Sequence, residues 1–375
     1  MTGLIKRGRQ TPPMTKHLDK AIAFYLPQFH PIPENDEWWG KGFTEWTNVA
    51  QCKPLFRGHY QPHIPSDLGF YDLRLPEARI AQAELARQHG IEAFCYWHYW
   101  FNGKRLLERP FNDVIESGKP DFPFCLAWAN ESWSRRWLGE EKALLMQQTY
   151  SPEDGARHAL WLAEKFTDRR YVRVNRRPLF LVYRPKHLPD PIQFTEVLRE
   201  TCLRHGGEEP YLVGIDAHCP GYDCRQAGFD MTLRFEPQLG CLRFSGRDHF
   251  YLPKVINNLL RGKINLDLKL YDYSKARRLM NKIKLDHPYI PCVFVSWDNT
   301  PRRGRNGVII TGSTPEKFST GVKEALGLAS KLPNGERLLF VNAWNEWAEG
   351  NHLEPDHRFG KGFLQELSKA LSSPI

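Results

Sequence analysis

Eight short apolar runs rich in β-forming residues recur along the chain, and most of them are followed by a stretch with helical periodicity. Strands that alternate with helices pair in parallel, because each helix carries the chain back to the same end of the sheet. Eight such units within 375 residues predict an α/β fold, a single (β/α)8 TIM barrel. The predicted strands cover residues 21–25, 93–97, 124–128, 179–183, 211–215, 231–235, 292–296 and 338–342.

The helical patterns fit between most of these strands, and two of the crossovers are longer than the others. We expect long loops after the first and sixth strands. The loop after the sixth strand holds a basic insertion at about 240–288. Both loops are interpreted as insertions on one domain. The predicted organisation is a polar, basic N-terminal segment at 1–20 and a catalytic barrel over 21–375. The predicted helices cover residues 76–89, 152–166, 192–205, 315–332 and 361–371.

The N-terminal segment has no apolar signal-peptide core, and no apolar run approaches the ~20 residues that span a bilayer. These features predict a cytoplasmic protein, either free or peripheral to the inner membrane. Several of the eight cysteines lie in apolar runs, and none has the spacing of a zinc site. Reduced thiols are expected, without a metal or a cofactor.

The net charge of +9 is concentrated in one segment. Residues 253–286 contain nine Lys or Arg against three acidic residues, and apolar residues recur there at helical spacing. A basic amphipathic segment binds anionic membrane surfaces or phosphates, but a solvated helix face has the same composition. Both interpretations of residues 254–284 stay open, and nucleic acid is not an expected partner.

The last predicted strand leads directly into two glutamates, Glu346 and Glu349. Trp344 and Trp347 lie beside them. Pairs of carboxyl groups cleave and form glycosidic bonds, and indole faces stack on the C–H faces of sugars. We therefore predict that Glu346 and Glu349 are catalytic. The alternative is a structural pair bound to backbone amides.

The other strand ends supply aromatic and polar side chains that are expected to bind a sugar. Parallel strands bring their carboxyl ends to one face of a barrel, and eleven of the twelve tryptophans lie within or just beyond these ends. The alternatives are a self-packed aromatic loop, a core histidine and a structural Arg–Glu pair. Arg184, Asp216 and His218 are further candidates. The predicted binding residues are Tyr25, Gln28, His30, Trp38, Trp39, Glu45, Trp46, Trp97, His98, Tyr99, Trp128, Asn130, Glu131, Trp133, Arg135, Trp297, Asp298, Arg302, Trp344, Asn345 and Trp347.

Five segments, which together span most of the chain, resemble the WbsX-like glycosyltransferase family. That family is associated with the synthesis of lipopolysaccharide, O-antigen and other surface polysaccharides, and it is related to glycoside hydrolase family 99, the endo-α-mannosidase and endo-mannanase family. The resemblance implies a (β/α)8 barrel. The segments are residues 23–46, 94–103, LAWANESWSRRW at 126–137, SWDNTPR at 296–302 and NAWNEWAEGNHLEP at 342–355.

The resemblance also implies a retaining mechanism through a 1,2-anhydro sugar. In it Glu346 removes the proton of the 2-hydroxyl and Glu349 protonates the leaving oxygen. Three functions stay open. The first is retaining glycosyl transfer in surface-polysaccharide synthesis, from a donor such as a nucleotide sugar to a lipid-linked acceptor. The second is an endo-acting retaining α-glycosidase, and the third is a sugar-binding barrel without catalysis.

Overall fold

The computed structural model describes residues 18–135, 140–242 and 268–373, without the side chains of residues 135 and 140–143. Three predictions therefore fall outside the described residues: those on residues 1–17, on residues 243–267 of the basic insertion and on the side chain of Arg135. Within the described part, no helix is both long enough and apolar enough to cross a membrane.

Eight parallel strands form a closed barrel and follow one another around it in chain order. The ring closes between the first and last strands, where Ala23 lies opposite Val341. The predicted (β/α)8 barrel and its eight strands are confirmed. The barrel strands are β1 (Lys20–Tyr25), β2 (Ala93–Phe101), β3 (Phe124–Trp128), β4 (Arg177–Val182), β5 (Tyr211–Ile215), β6 (Met231–Arg234), β7 (Tyr289–Phe294) and β8 (Leu338–Asn342).

The five helices predicted from periodicity are present, and three of them begin with a side-chain cap. The side chains of Ser151, Asp190 and Thr314 each accept a hydrogen bond from a backbone N–H in the first turn of a helix, and a proline follows each of them. The helices are α1 (Pro33–Trp39), α2 (Glu45–Gln51), α3 (Pro76–Gln88), α4 (Arg109–Ser117), α5 (Pro152–Phe166), α6 (Pro191–Gly206), α7 (Leu239–Leu242), α8 (Tyr273–Asn281), α9 (Thr300–Arg303), α10 (Pro315–Ala329) and α11 (Gly362–Ser372).

Among the short helices that were not expected from the sequence, three lie between β1 and β3. Helix α4 completes the crossover between β2 and β3, and α1 and α2 lie in the long segment after β1. None of the three exceeds nine residues, so their apolar residues make too few turns for a clear helical period. Trp38, Trp39 and Trp46 therefore lie on helices and not in an irregular loop.

The long crossover after β6 forms part of a small sheet beside the barrel. Strand Lys269–Asp272 pairs in parallel with Val308–Thr311, which pairs antiparallel with Trp297–Asp298. Arg277, on α8, is buried, and its Nη2 donates to Glu324 Oε2 at 2.6 Å. This arginine belongs to the protein interior and is not available to a membrane surface.

Aromatic rings fill the barrel interior below the carboxyl ends of the strands. Phe24 on β1 stacks on Trp97 at 4.8 Å between ring centroids, and it contacts Phe235 and Phe340 at 5.3 Å. Successive side chains on a strand point to opposite faces. The inward position of Phe24 therefore turns its neighbour Tyr25 away from the barrel interior.

Replacing Phe340 by Ala is expected to lower the free energy of unfolding by about 3–5 kcal/mol. Phe340 is fully buried against Phe24, and its removal leaves a cavity in the barrel interior. The measurement is urea denaturation followed by circular dichroism. Leu203→Ala is the control, because Leu203 is 56% exposed and its truncation should cost no more than about 0.5 kcal/mol. Equal losses in the two variants would contradict this description of the core.

Candidate active site

A cavity of about 330 Å³ opens at the carboxyl ends of the barrel strands. All eight strands, or the segments that follow them, contribute to its wall. This is the face on which TIM barrels carry their active sites. Ten residues predicted from the sequence line it: Gln28, Trp39, Trp97, Tyr99, Glu131, Trp133, Trp297, Arg302, Glu346 and Glu349.

The two glutamates lie on a tight hairpin that follows β8. Asn345 and Glu346 pair antiparallel with Asn351 and His352, and a single 3₁₀ turn joins the two short strands. Gly350 ends this turn with φ +57°, and a Cβ atom there would lie 3.1 Å from Asp298 Cβ. A side chain at this position would strain the backbone and press on Asp298. The hairpin therefore requires glycine where the sequence has it.

One guanidinium, that of Arg302, binds both glutamates and a third carboxylate. Its Nη1 donates to Glu349 Oε1 at 2.7 Å, and its Nη2 donates to Glu346 Oε2 at 3.0 Å. Its Nε donates to Glu45 Oε2 at 3.1 Å. The Arg302 side chain is only 11% exposed, and Glu45 is fully buried. Three carboxyl groups thus share one cation in a site with little water.

Burial raises the pKa of each of these carboxyl groups, because the charged form loses its hydration. The pKa of Glu349 rises to about 8, since burial and the nearby Glu346 and Glu45 outweigh the attraction of Arg302. The pKa values of Glu346 and Glu45 are also raised by burial, against the same attraction. One guanidinium does not balance three carboxylates, so the site favours retention of a proton near neutral pH. Glu349, whose pKa rises to about 8, can hold that proton.

Arg302 is held in place from behind by Asp298. Asp298 Oδ1 accepts hydrogen bonds from the backbone N–H and the hydroxyl of Thr300, at the start of α9. Its Oδ2 is bound by His59 Nε2 at 2.6 Å and by Gln61 Nε2 at 2.8 Å. Asp298 was predicted to bind substrate, but its carboxylate is fully occupied within the protein. It orients the helix that carries Arg302.

A buried polar network supports the glutamate hairpin from below. The carboxylate of Glu354 accepts hydrogen bonds from Trp347 Nε1 at 2.6 Å, Gln82 Nε2 at 2.6 Å and the Tyr71 hydroxyl at 2.8 Å. Tyr25 joins this network, because its hydroxyl donates to Gln82 Oε1 at 2.7 Å. Trp347 and Tyr25 were predicted to contact a sugar. The structure places both behind the cavity wall.

Asn345 and Trp344 are likewise parts of the scaffold. The side-chain amide of Asn345 exchanges hydrogen bonds with the backbone N–H and carbonyl of Leu26, at 2.7 and 3.0 Å. The indole of Trp344 is fully buried, with its ring centroid 5.1 Å from that of Phe94. The Asn345 hydrogen bonds fix the hairpin to the segment that follows β1, and the Trp344 ring packs against β2.

The remaining predicted residues also lie behind the wall of the cavity. His98 Nε2 lies 2.9 Å from His158 Nε2, and the His98 ring stacks on Trp161. Alternation along β2 sends His98 outward while its neighbours Trp97 and Tyr99 line the cavity. The other predicted residues make contacts within the protein. His30 is buried, and Trp38 packs edge-on against Trp133.

Three more of them bind backbone groups. Trp46 Nε1 donates to the Tyr71 carbonyl, and Trp128 Nε1 donates to the Trp100 carbonyl. The Asn130 amide exchanges hydrogen bonds with the backbone of Arg184.

Several lining residues were not among the predicted binding residues. Arg184 Nε donates to Glu131 Oε2 at 2.9 Å, and the Tyr183 hydroxyl lies 2.8 Å from His218 Nε2. Arg184 and His218 follow β4 and β5 directly, which was the signal that made them further candidates. Asn35 lies on α1, where no strand end marks it. The others are Leu26, Ala129, Ser132, Ser134, Leu145, Phe235, Leu239, Asn299, Arg303 and Asn342.

The fold is shared with solved carbohydrate-enzyme structures at low sequence identity. A glycoside hydrolase-like protein matches with a TM-score of 0.58 and 13% identity, over 95% of this chain and 94% of that chain. The GH99 endo-alpha-mannosidase from Bacteroides thetaiotaomicron matches with a TM-score of 0.56 and 16% identity, over 94% of this chain and 96% of that chain. At these identities the similarity shows the fold alone.

Two curated relatives, both described as uncharacterized protein WxcX, come from two strains of Xanthomonas campestris pv. campestris. Each is 41% identical over 357 residues, which is 94% of this chain and 49% of the relative. The chain thus spans about half the length of the curated relatives it matches. The family described as Glycosyltransferase WbsX matches residues 21–367. The chain belongs to the WbsX glycosyltransferase family.

Proposed function

We propose that this chain catalyses retaining glycosyl transfer in the synthesis of a surface polysaccharide. The observation that carries the proposal is the binding of Glu346 and Glu349 to the one guanidinium of Arg302, at the wall of a cavity rich in indoles. Membership of the WbsX family supports the transferase reaction and the biosynthetic setting. The sugar bound in the cavity is the donor glycan, and an acceptor hydroxyl completes the reaction.

In the first step Glu346 acts as a base and Glu349 as an acid. Glu346 removes the proton of the donor's 2-hydroxyl, whose oxygen attacks the anomeric carbon of the same sugar. Glu349 gives its proton to the leaving oxygen as the glycosidic bond breaks. The product is a 1,2-anhydro sugar and a free leaving group. A raised pKa at Glu349 suits an acid that must be protonated near neutral pH.

In the second step the two roles are exchanged. Glu349, now ionised, removes the proton of the acceptor hydroxyl, whose oxygen attacks the anomeric carbon and opens the anhydro ring. Glu346 returns its proton to the 2-oxygen. Two inversions at the anomeric carbon give net retention, and both glutamates regain their starting protonation states. Arg302 stays bound to the pair, so the total charge of the site is nearly constant.

The cavity wall suits an uncharged sugar ring better than a diphosphate. Three arginines line the cavity, Arg184, Arg302 and Arg303. Glu131, Glu346 and the buried Glu45 bound to Arg302 balance them while Glu349 keeps its proton. Trp39, Trp97, Trp133 and Trp297 provide faces for stacking. A nucleotide-sugar donor would have to place its diphosphate beyond this balanced region. A lipid-linked acceptor would likewise extend out of the cavity.

Hydrolysis is the second candidate function, since the fold is that of a GH99 endo-alpha-mannosidase. The same two glutamates would act, with water in place of the acceptor hydroxyl. The two reactions differ only in which nucleophile reaches the anhydro sugar. The product of turnover therefore distinguishes them.

Glu346→Gln and Glu349→Gln are each expected to lower kcat by about 10²–10⁴-fold, because each removes one proton-transfer group. The measurement is a mass-spectrometric assay with two substrate panels, sugar donors with acceptors and α-linked oligosaccharides. Glu37→Gln, an exposed carboxyl on α1, is the control and should keep wild-type turnover.

Transfer that is lost in both variants supports the transferase. Cleavage of an oligosaccharide with retained configuration would establish the hydrolase instead. Sugar binding without turnover in the wild type, left unchanged in both variants, would favour a binding barrel and contradict both reactions.

The rate should fall as the pH rises through about 8, because the acid Glu349 is protonated only below its raised pKa.

Arg302→Gln should shift the whole pH profile of kcat/KM to higher pH. Its guanidinium lowers the pKa of both glutamates, so its removal raises both values and disfavours the ionised form that Glu346 needs as a base. We expect a loss of roughly 10²-fold or more at pH 7. Arg305→Gln, on the exposed turn that follows α9, is the control. A profile that is unshifted in Arg302→Gln would contradict this assignment.

We also propose that the basic segment 254–284 contacts an anionic membrane surface. Its support among the described residues is an exposed basic face, with Lys275, Arg278 and Lys282 at helical spacing. Reversing these three charges to Glu should abolish binding to vesicles that contain phosphatidylglycerol, and added salt should weaken wild-type binding. Vesicles of phosphatidylcholine alone are the control. Equal sedimentation of wild type and variant would contradict the contact.

A further inference from the structure

A second, smaller cavity of about 120 Å³ lies behind the active-site wall. Trp297 lines both cavities and separates them. The loop after β1 and the glutamate hairpin meet at the second cavity, where they bring together His63, His352 and Asp356. The proposed glycosyl transfer uses none of these three side chains.

The three side chains form a compact group of metal-ligating atoms. One ligand atom from each of His63, His352 and Asp356 lies within 4.8 Å of the other two, and all three residues are buried. His63 Nδ1 is 2.8 Å from His352 Nε2. The group draws on two segments separated by almost 300 residues of sequence. Its convergence inside the protein is therefore a property of the closed fold.

Hydrogen bonds to the backbone fix the orientation of two of the ligands. His352 Nδ1 lies 2.9 Å from the Glu354 carbonyl, which can only accept, so Nδ1 carries the proton and Nε2 keeps its lone pair. Asp356 Oδ1 accepts hydrogen bonds from the backbone N–H groups of Arg358 and Phe359, at 3.0 and 2.7 Å. Metal-binding histidines and carboxylates are commonly oriented by such outer partners.

We propose that His63, His352 and Asp356 bind one divalent transition-metal ion, with Zn²⁺ as the best fit. Two imidazoles and one carboxylate are ligands that Zn²⁺ accepts, and a water molecule from the adjoining cavity supplies the fourth position. Tetrahedral Zn–N bonds of about 2.0–2.1 Å place two nitrogen atoms roughly 3.3 Å apart. The His63 and His352 nitrogen atoms need to separate only slightly to reach this geometry.

The metal would link two segments behind the active-site wall. The His352 ring stacks on Trp347 at 3.7 Å between centroids, and His352 pairs with Asn345 in the glutamate hairpin. A metal bound to His63 and His352 therefore ties the loop after β1 to the hairpin that carries Glu346. The metal site is independent of the reaction proposed for the glutamates.

A direct hydrogen bond between the two imidazoles, without a metal, is the competing explanation of the 2.8 Å distance. His63 Nδ1–H would then donate to His352 Nε2. The guanidinium of Arg358, which lies 4.8 Å from the Tyr60 ring centroid in the same cavity, would also repel a cation that came close to it. The two explanations predict different results. Only a metal site binds one Zn²⁺ per chain, gives a four-coordinate Co²⁺ absorption band and raises the Tm when Zn²⁺ is added.

The test is metal titration of the full chain after treatment with a chelator and dialysis. We expect one equivalent of Zn²⁺ per chain, a rise in Tm on adding Zn²⁺, and a visible absorption band typical of four-coordinate Co²⁺ on adding Co²⁺. His63→Gln and Asp356→Asn should weaken binding by roughly 100-fold or more, since each removes a ligand. His357→Gln is the matched control, because His357 is an exposed neighbour that should contribute nothing.

A wild-type chain that binds no stoichiometric Zn²⁺ and gives no four-coordinate Co²⁺ band would overturn the proposal. Undiminished binding in His63→Gln and Asp356→Asn, with loss in His357→Gln, would do the same and assign the metal to the surface. Circular dichroism checks that the variants fold. If they do not, the stoichiometry and the Co²⁺ spectrum of the wild type still decide the question.

Discussion

Glu45, from the segment after the first strand, and Glu346 and Glu349, from the hairpin after the last, converge on the guanidinium of Arg302. This buried ion cluster sets the electrostatics of the cavity. Like charges in a poorly hydrated site repel strongly, so Glu45, Glu346 and Glu349 could not lie together without a cation between them. If Arg302 lowered the pKa of all three carboxyl groups enough to ionise them, no acid would be available for the first step of the proposed reaction. Arg302 offsets part of the repulsion, and burial keeps the pKa of Glu349 high.

Rigid surroundings are needed to keep such a cluster in place, because charged groups that lose water tend to move toward it or to change protonation state. The surrounding elements supply this rigidity. Asp298 holds the helix of Arg302, and Glu354 holds the indole of Trp347 on the glutamate hairpin. Both carboxylates are saturated with hydrogen-bond donors. The cluster therefore has little freedom to rearrange without breaking buried hydrogen bonds.

Much of the fold could be predicted from the sequence, because apolar runs and helical periods report directly on burial. The eight strands and five long helices were found in this way, and the position of Glu346 and Glu349 after the last run predicted their location at the cavity. Short helices such as α4 have too few turns for a helical periodicity to be detected in the sequence. The choice of residues that face the cavity was harder. His98 and Tyr25 lie at strand ends, but alternation along their strands turns them away from the cavity. The three partners of Arg302 come from segments that become neighbours only when the first and last strands pair.

The route of the chain around the barrel has a consequence for assembly. Glu45 follows the first strand, Arg302 the seventh and Glu346 the eighth, and Arg302 lies 257 residues beyond Glu45. The first and last strands are neighbours only because the ring is complete. An N-terminal part of the chain that emerges first during synthesis holds one member of the ion cluster and none of the others. The cluster therefore forms only where the first, seventh and last strands are brought together, so the proposed reactive centre depends on closure of the ring.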